Sequence, residues 1–345
     1  MKTYLVTGGA GFIGSAFVRH VYRRRRDVRL IVLDAMTYAG NLNNFPRAMK
    51  ADQKRFKFWW GNVNNLNLVD SLVAQSDVVI HFAAESHVSR SIYDDRIFFE
   101  TDVCGTQALC QSVVRHRKRV DRFVHVSSSE VYGTNDFPDR PMDEDHPLKP
   151  ASPYAAAKAG ADRLVYSYLR TYDMPGVIVR PFNNYGPRQH LEKAVPRFIC
   201  GALMGEPLTL HGDGSAQRDW IHVSDNVRAL LAIIDADSRL VRGEVFNVGT
   251  GRPTSVAKIA RMIVDELGVS PDLIVEVHNR PGQVDQHWAD TTRIRQRLGW
   301  SPRLSLDDGL SRTIDWYRRR ERWWRPLLWM RHVPITLPSG ETVMH

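Results

Sequence analysis

The chain has 345 residues, 43% hydrophobic and 25% charged, with 23 Gly, 18 Pro and 3 Cys; this ordinary globular balance excludes disordered, collagen-like and disulfide-stapled classes. A formal net charge of +9 and a pI near 9.6 suit an anionic partner: nucleic acid, an anionic surface or a phosphorylated substrate. No apolar run approaches the roughly 18–20 residues of a membrane span, and Cys104, Cys110 and Cys200 lack the spacing of a disulfide framework or a zinc site, so no metal is expected.

The chain opens on an apolar strand, Tyr4–Thr7, without a signal-peptide pattern, which points to the cytoplasm. Further strands are expected at Leu30–Leu33, Val78–Phe82, Phe123–Val126 and Val177–Val179, separated by segments long enough for helical crossovers. Such alternation predicts an α/β fold with a parallel sheet. After Arg180-Pro181 the chain is broken by Pro187, Pro196, Pro207, Gly212 and Gly214, so residues 1–180 are expected to form a first domain and 181–345 mainly a smaller α/β lobe. Phe246-Asn247-Val248-Gly249 reads as another strand, and a segment near 216–250 is therefore expected to return to the first domain. At the C-terminal end, Arg318, Arg319, Arg320, Arg322, Arg325 and Arg331 interleave with Trp316, Tyr317, Trp323, Trp324 and Trp329. That mix could serve single-stranded nucleic acid; the plainer alternative is an amphipathic helix with tryptophans inward and solvated arginine heads.

The first strand leads into Gly8-Gly9-Ala10-Gly11-Phe12-Ile13-Gly14 and then into an apparent helix from Ser15. Glycines at 8, 11 and 14 suit a tight turn, the approach of a pyrophosphate to backbone N–H groups, and close helix–strand packing. The second strand ends at Asp34, at the roughly twenty-residue spacing where a carboxylate meets the adenosine ribose and repels a 2′-phosphate. This context predicts a Rossmann-type doubly wound sheet that binds NAD rather than NADP; the alternative for Asp34 is a turn cap. Asn62, Val63 and Ala83, which follow the third and fourth strands, could line the adenine and the middle of the dinucleotide.

The strand Phe123–Val126 ends in Ser127-Ser128-Ser129-Glu130, and Tyr154 and Lys158 follow at i and i+4, on one face of a helix. An ammonium beside a phenol favours phenolate, bringing a group of ordinary pKa ~10 towards the range where it removes a hydroxyl proton. Alone, the pair is an ordinary helix pair; with the glycine fingerprint, Asp34 and the serine cluster it points to oxidation of a carbinol by nicotinamide.

At this point the sequence resembles the extended short-chain dehydrogenase/reductases and, within them, the nucleotide-sugar 4,6-dehydratases, nearest the dTDP-glucose 4,6-dehydratase branch. The resemblance spans nearly the whole chain. It rests on Thr7–Gly14, Thr37-Tyr38-Ala39-Gly40-Asn41-Leu42, Ala84-Glu85-Ser86-His87-Val88, Arg90-Ser91-Ile92, Ser152-Pro153-Tyr154 with Lys158, Asn183-Asn184-Tyr185-Gly186-Pro187, Glu192-Lys193, Arg218-Asp219-Trp220 and Arg280-Pro281-Gly282. It implies an internal redox cycle: C4 of a nucleotide-linked hexose is oxidised by NAD, water leaves across C5 and C6, and the hydride returns to C6. Tyr154 and Lys158 match the oxidation pair, Ser128 the hydroxyl that holds the C4 oxygen, and Glu130 the base at C5; a capping or surface acid is the alternative for Glu130. Phe12 and Ile13 fall in the cofactor loop. Ser86, His87, Asn184, Lys193, Arg218 and Arg280 match positions at the sugar and its diphosphate, and a homodimer through two helices of the first lobe is implied, with neither nucleic acid nor membrane as partner.

Two departures bear on the chemistry. Ser129 stands where those dehydratases carry an Asp that protonates the departing C6 hydroxyl, and Ser89 also replaces an Asp. Triplets of the Thr-Ser-Glu kind occur in GDP-mannose-type 4,6-dehydratases and in UDP-glucuronate decarboxylases, so decarboxylation, or epimerisation at C4 or C5, stays open beside dehydration. Glu130 counts against simple C4 epimerisation, and Tyr154, Lys158 and Glu130 together count against a non-catalytic NAD-binding scaffold. Gln283–Trp288 departs from the family's more basic pattern.

Overall fold

The computed structural model describes residues 1–137, 139–279, 282–331, 334–336 and 341–344, the segments 334–336 and 343–344 by their backbone alone. In chain order the strands are β1 (Lys2–Thr7), β2 (Val28–Asp34), β3 (Phe56–Trp60), β4 (Val78–His81), β5 (Arg122–Val126), β6 (Gly176–Pro181), β7 (Asn183–Tyr185), β8 (Leu208–His211), β9 (Gln217–His222), β10 (Val245–Val248), β11 (Pro253–Ser255), β12 (Ile274–Val277), β13 (Gln286–His287), β14 (Pro334–Thr336) and β15 (Thr342–Met344). Seven of them form one sheet in the order β10-β6-β5-β4-β1-β2-β3, with every pairing parallel. This is an α/β Rossmann-type doubly wound sheet. Its order reverses between β1 and β4, and the C-terminal ends of the strands at such a switch point open a crevice for ligands.

The strands are apolar almost throughout because helices cover both faces. On one face Val6, Val32, Ile80 and Val124 pack with Phe17, Val18 and Val21 of the helix Phe12–Arg24 and with Leu230 and Ile234 of the helix Val223–Asp235. On the other, Leu5, Ile31, Val79 and Phe123 meet Leu109 and Val113 of the helix Gly105–Arg115 and Val165 and Leu169 of the helix Pro153–Thr171. The strand expected near Phe246 lies in this sheet, beside β6.

Beyond Pro181 a smaller lobe has its own apolar core, with Phe198, Ile199, Ile259, Ile263, Ile314 and Tyr317 at its centre. Its sheet runs β11-β9-β13 with β7 also paired to β9, and β8 pairs with β12. The C-terminal tryptophans belong to this core: Trp324 is buried, with its Nε1 donating to Tyr317 O at 2.9 Å, and Trp316 and Trp323 pack beside it. Trp329 departs from the inward pattern, at 75% exposed. The arginines Arg318 and Arg319 pair with Asp315 on the outer face. Among the described residues no helix is long and apolar enough to cross a membrane, and no cluster of His, Cys, Asp or Glu could hold a metal ion.

Candidate active site

A cleft of about 440 Å³ runs from the glycine loop, across the ends of β4 and β5, to the smaller lobe. At its cofactor end stand Gly8, Gly11, Phe12, Ile13 and Gly14, with Asp34, Asn62, Val63 and Ala83 further along. Gly8 has a φ of +66°, and a Cβ there would lie 2.5 Å from the Ala83 backbone N; a Cβ on Gly14 would strike the Gly8 carbonyl. Gly11 caps the helix Phe12–Arg24 without a side chain, so the first-turn N–H groups and the helix dipole face the cleft. An anion is favoured there, and the residues fit the pyrophosphate of a dinucleotide.

Asp34 combines both of its readings. Its Oδ2 accepts from Ala10 N and its Oδ1 from Met36 N, each at 2.8 Å, so it braces the glycine loop while facing the cleft. Burial raises its carboxyl, and the backbone N–H groups of Met36, Ala10 and Gly11 oppose that rise.

The candidate catalytic residues gather where β5 ends. Ser128 caps a single 3₁₀ turn, its Oγ accepting from Glu130 N at 3.2 Å, which sets Ser128, Ser129 and Glu130 along the cleft wall. Ser152 caps the helix Pro153–Thr171, Oγ accepting from Ala155 N at 3.2 Å with Pro153 in the first turn, and this start brings Tyr154 and Lys158 to the same wall. Tyr154 is hydrogen-bonded to Ser128. Its phenol is nonetheless pushed well above its ordinary value, first by burial and then by the carboxylates Asp102, Glu130 and Glu192. Lys158 Nζ donates instead to Val126 O at 3.0 Å, and burial pulls its ammonium down against Asp102 and Asp162. The expectation that Lys158 draws the phenol down is therefore not met by the chain's own groups, because burial first, and three carboxylates after it, raise the phenol.

Toward the smaller lobe, Ser86, His87, Asn184, Lys193 and Arg218, the candidate substrate residues, all line the cleft. Lys193 Nζ donates to Ser86 O at 2.5 Å and lies 3.4 Å from Glu192, joining the two lobes across the opening. His87 caps the helix Val88–Tyr93 through Nδ1, which accepts from Arg90 N at 3.0 Å. The Asn184 amide is turned inward, donating to Phe182 O at 2.9 Å and accepting from Asn226 at 2.8 Å. Arg218 is buried, with Nη1 donating to Gln217 O at 2.9 Å. Arg280 lies outside the described residues.

Three groups escaped the sequence reading. The Glu192 side chain is buried where Tyr38 OH donates to it at 3.1 Å, with His87, His190 and Lys193 around it; against burial, Lys193, His87 and His190 hold its carboxyl low. Asp102 sits in a π-helical turn, Phe99–Cys104, accepts from Glu85 N at 2.8 Å and is raised to about 7 by burial against the charge of Lys158. His287 stands behind Ser129. Glu192 fell within a motif already quoted; the other two carry no local pattern.

The sequence model of the GDP-mannose 4,6 dehydratase family matches residues 5–313. The chain belongs to that family. It is 41% identical over 327 residues to a dTDP-glucose 4,6-dehydratase of Streptomyces niveus, covering 94% of this chain and 95% of that one. Over 313 residues it is 44% identical to the low-salt glycan biosynthesis protein Agl12 of Haloferax volcanii, covering 91% and 97%. Its fold superposes with a TM-score of 0.88 on DesIV, a dTDP-glucose 4,6-dehydratase from Streptomyces venezuelae with NAD and TYD bound, at 40% identity and covering 94% and 99%. Family membership and the doubly wound sheet agree with the resemblance read from the motifs.

Proposed function

We propose that this protein is an NAD-dependent nucleotide-sugar 4,6-dehydratase, converting a nucleoside-diphosphate hexose into its 4-keto-6-deoxy derivative. One observation carries the reading: a single cleft holds the dinucleotide cradle, the Tyr154–Ser128 pair and the Glu130 carboxylate, with basic groups of the second lobe at its far end. The relatives named dTDP-glucose 4,6-dehydratase support it.

The glycine loop and Asp34 would hold NAD, which when bound would supply the hydride acceptor for C4 and the donor for C6. Tyr154 removes the proton of the C4 hydroxyl, whose oxygen Ser128 holds, and Lys158 orients the helix face through Val126 O. A 4-ketone acidifies the C5 proton, and Glu130 takes it. Lys193 and Arg218 face the diphosphate, charge against charge, with Ser86, His87 and Asn184 around the sugar. Residues 1–180, with the strand returned at β10, form the cofactor domain, and the chain from 181 forms most of the substrate lobe. The assembly is a cytoplasmic homodimer through helices of the cofactor domain.

Ser129 favours a second reading, decarboxylation of a nucleotide uronate or epimerisation at C4 or C5. The test incubates the protein separately with dTDP-glucose, UDP-glucose, GDP-mannose, UDP-N-acetylglucosamine and UDP-glucuronate, without added cofactor, and follows product mass. Loss of water from a neutral hexose supports the dehydratase. Loss of carbon dioxide from the uronate, or an isomer of unchanged mass, would overturn it.

A further inference from the structure

A serine hydroxyl is too weak an acid to protonate a departing hydroxyl by itself, so the wall around Ser129 must explain how O6 leaves. Ser129 is buried, and 3.4 Å from its Oγ lies Nε2 of His287, which also lies 2.8 Å from Asn183 Oδ1. The imidazole is 0% exposed, edge-on to Phe182 with ring centroids 5.5 Å apart. It is delivered by the two-residue strand β13, where His287 pairs in register with Arg218 of β9. The charges facing it are Glu130 and Arg218. Its Nδ1 has no hydrogen-bond partner among the described residues, and a buried polar atom left open beside a reaction centre calls for a use.

We propose that His287 and Ser129 form a proton relay in place of the absent carboxylic acid, carrying the proton that Glu130 takes from C5 to the departing C6 oxygen. The proposal rests on the dehydratase reading above. The C5–H electron pair becomes the C5=C6 bond, and the C6–O pair leaves with oxygen. Glu130, now protonated, passes its proton to the imidazole. The imidazolium gives its Nε2 proton to Ser129 Oγ, and the Ser129 hydroxyl proton goes to O6, which leaves as water. Glu130 and Ser129 return to their starting states, and His287, protonated by Glu130 on the open Nδ1, is left as the other neutral tautomer, which reverts by proton exchange once product leaves; no outside acid is consumed.

Burial, opposed by the Glu130 carboxylate and aided by the charge of Arg218, pulls the imidazolium down to about 4, near the ordinary ~3.9 of an aspartic acid. A proton placed on His287 is therefore released as readily as from the carboxyl it stands in for, and Ser129 acts as a conduit rather than a source. His287 acts through Ser129 and is a positioning residue.

The test uses the full-length holoprotein in D2O with whichever nucleotide hexose it dehydrates, and reads three steps: absorbance of the reduced nicotinamide, deuterium at C5, and mass loss of water. In His287→Gln, and independently in Ser129→Ala, oxidation and C5 exchange stay within about threefold while water loss falls by about a hundredfold or more. Adding Ser129→Asp to His287→Gln restores water loss to within about tenfold, because the carboxyl needs no relay. The relay is overturned if His287→Gln eliminates water at the wild-type rate, if all three steps fall together in both single variants, or if Ser129→Asp restores nothing. A wild-type protein that dehydrates no nucleotide hexose overturns the dehydratase reading instead, before any variant is compared.

Discussion

Asp34→Asn separates the two jobs that the structure gives one carboxylate. Both oxygens are engaged, Oδ2 by Ala10 N and Oδ1 by Met36 N at 2.8 Å, and Gly11 N contributes as well. The amide keeps the shape but offers a single acceptor, so one loop N–H loses its partner and meets an NH₂ group. Hydrogen bonds to a charged acceptor contribute about 1.5–3 kcal/mol each, and a buried orphan donor costs a similar amount. A loss of about 2–3 kcal/mol in NAD affinity follows, or about 30- to 150-fold at ~1.4 kcal/mol per decade. Calorimetric titration of NAD and of NADP into cofactor-stripped protein measures it. NADP gains nothing in this variant, because the loop that receives the pyrophosphate is loosened whichever cofactor arrives. An affinity for NAD within about threefold of wild type would refute the bracing role, and a switch to tight NADP binding would leave Asp34 as a ribose contact alone.

Asp162→Asn breaks the buried, two-pronged pair in which Arg180 Nε and Nη2 each lie 2.9 Å from the Asp162 carboxylate; leaving Arg180 uncompensated costs about 3–5 kcal/mol, read as a lower midpoint in chemical denaturation, and a change under about 1 kcal/mol contradicts it. Glu130→Gln keeps C4 oxidation but lowers C5 deuterium exchange by about 10²- to 10⁴-fold, and unchanged exchange would remove Glu130 from its role. Asp102, raised to about 7 by burial, holds its proton in the folded state at pH values where the unfolded carboxyl, near ~3.9, has lost it. The folded state binds more protons over that window, so this group's contribution to stability falls as pH rises from about 4 to 7, by up to about 4 kcal/mol. Denaturation of wild type and Asp102→Asn across that range should show wild type losing ground steadily; parallel curves would mean that Asp102 stays charged beside Lys158.

The parts legible in the sequence are those with a local signature. Apolar runs between crossover-length segments give the parallel sheet because strands covered on both faces need side chains apolar on both. Glycines at 8 and 14 sit where a Cβ has no room, and Tyr154 and Lys158 share a face because four residues make about one helical turn. What the sequence does not disclose is made by distant pieces of chain. Ser129 and His287 are 158 positions apart and meet because the chain that follows Ser129 runs along β13, with Asn135 N donating to Gln286 O and Met142 N to Trp288 O, while β13 pairs with β9, a pairing that no periodicity in a two-residue strand announces. Asp102 reads as one more charged residue on a helix until the packing of that helix removes it from water, leaving it 1% exposed.

The same distinction explains why the Tyr-Lys motif overstated its own chemistry. Helical spacing predicts that phenol and ammonium share a face, and both line the cleft; it does not predict what else is buried with them. Asp102, Glu130 and Glu192 arrive from three other segments and raise the phenol, while Val126 O takes the Lys158 hydrogen bond.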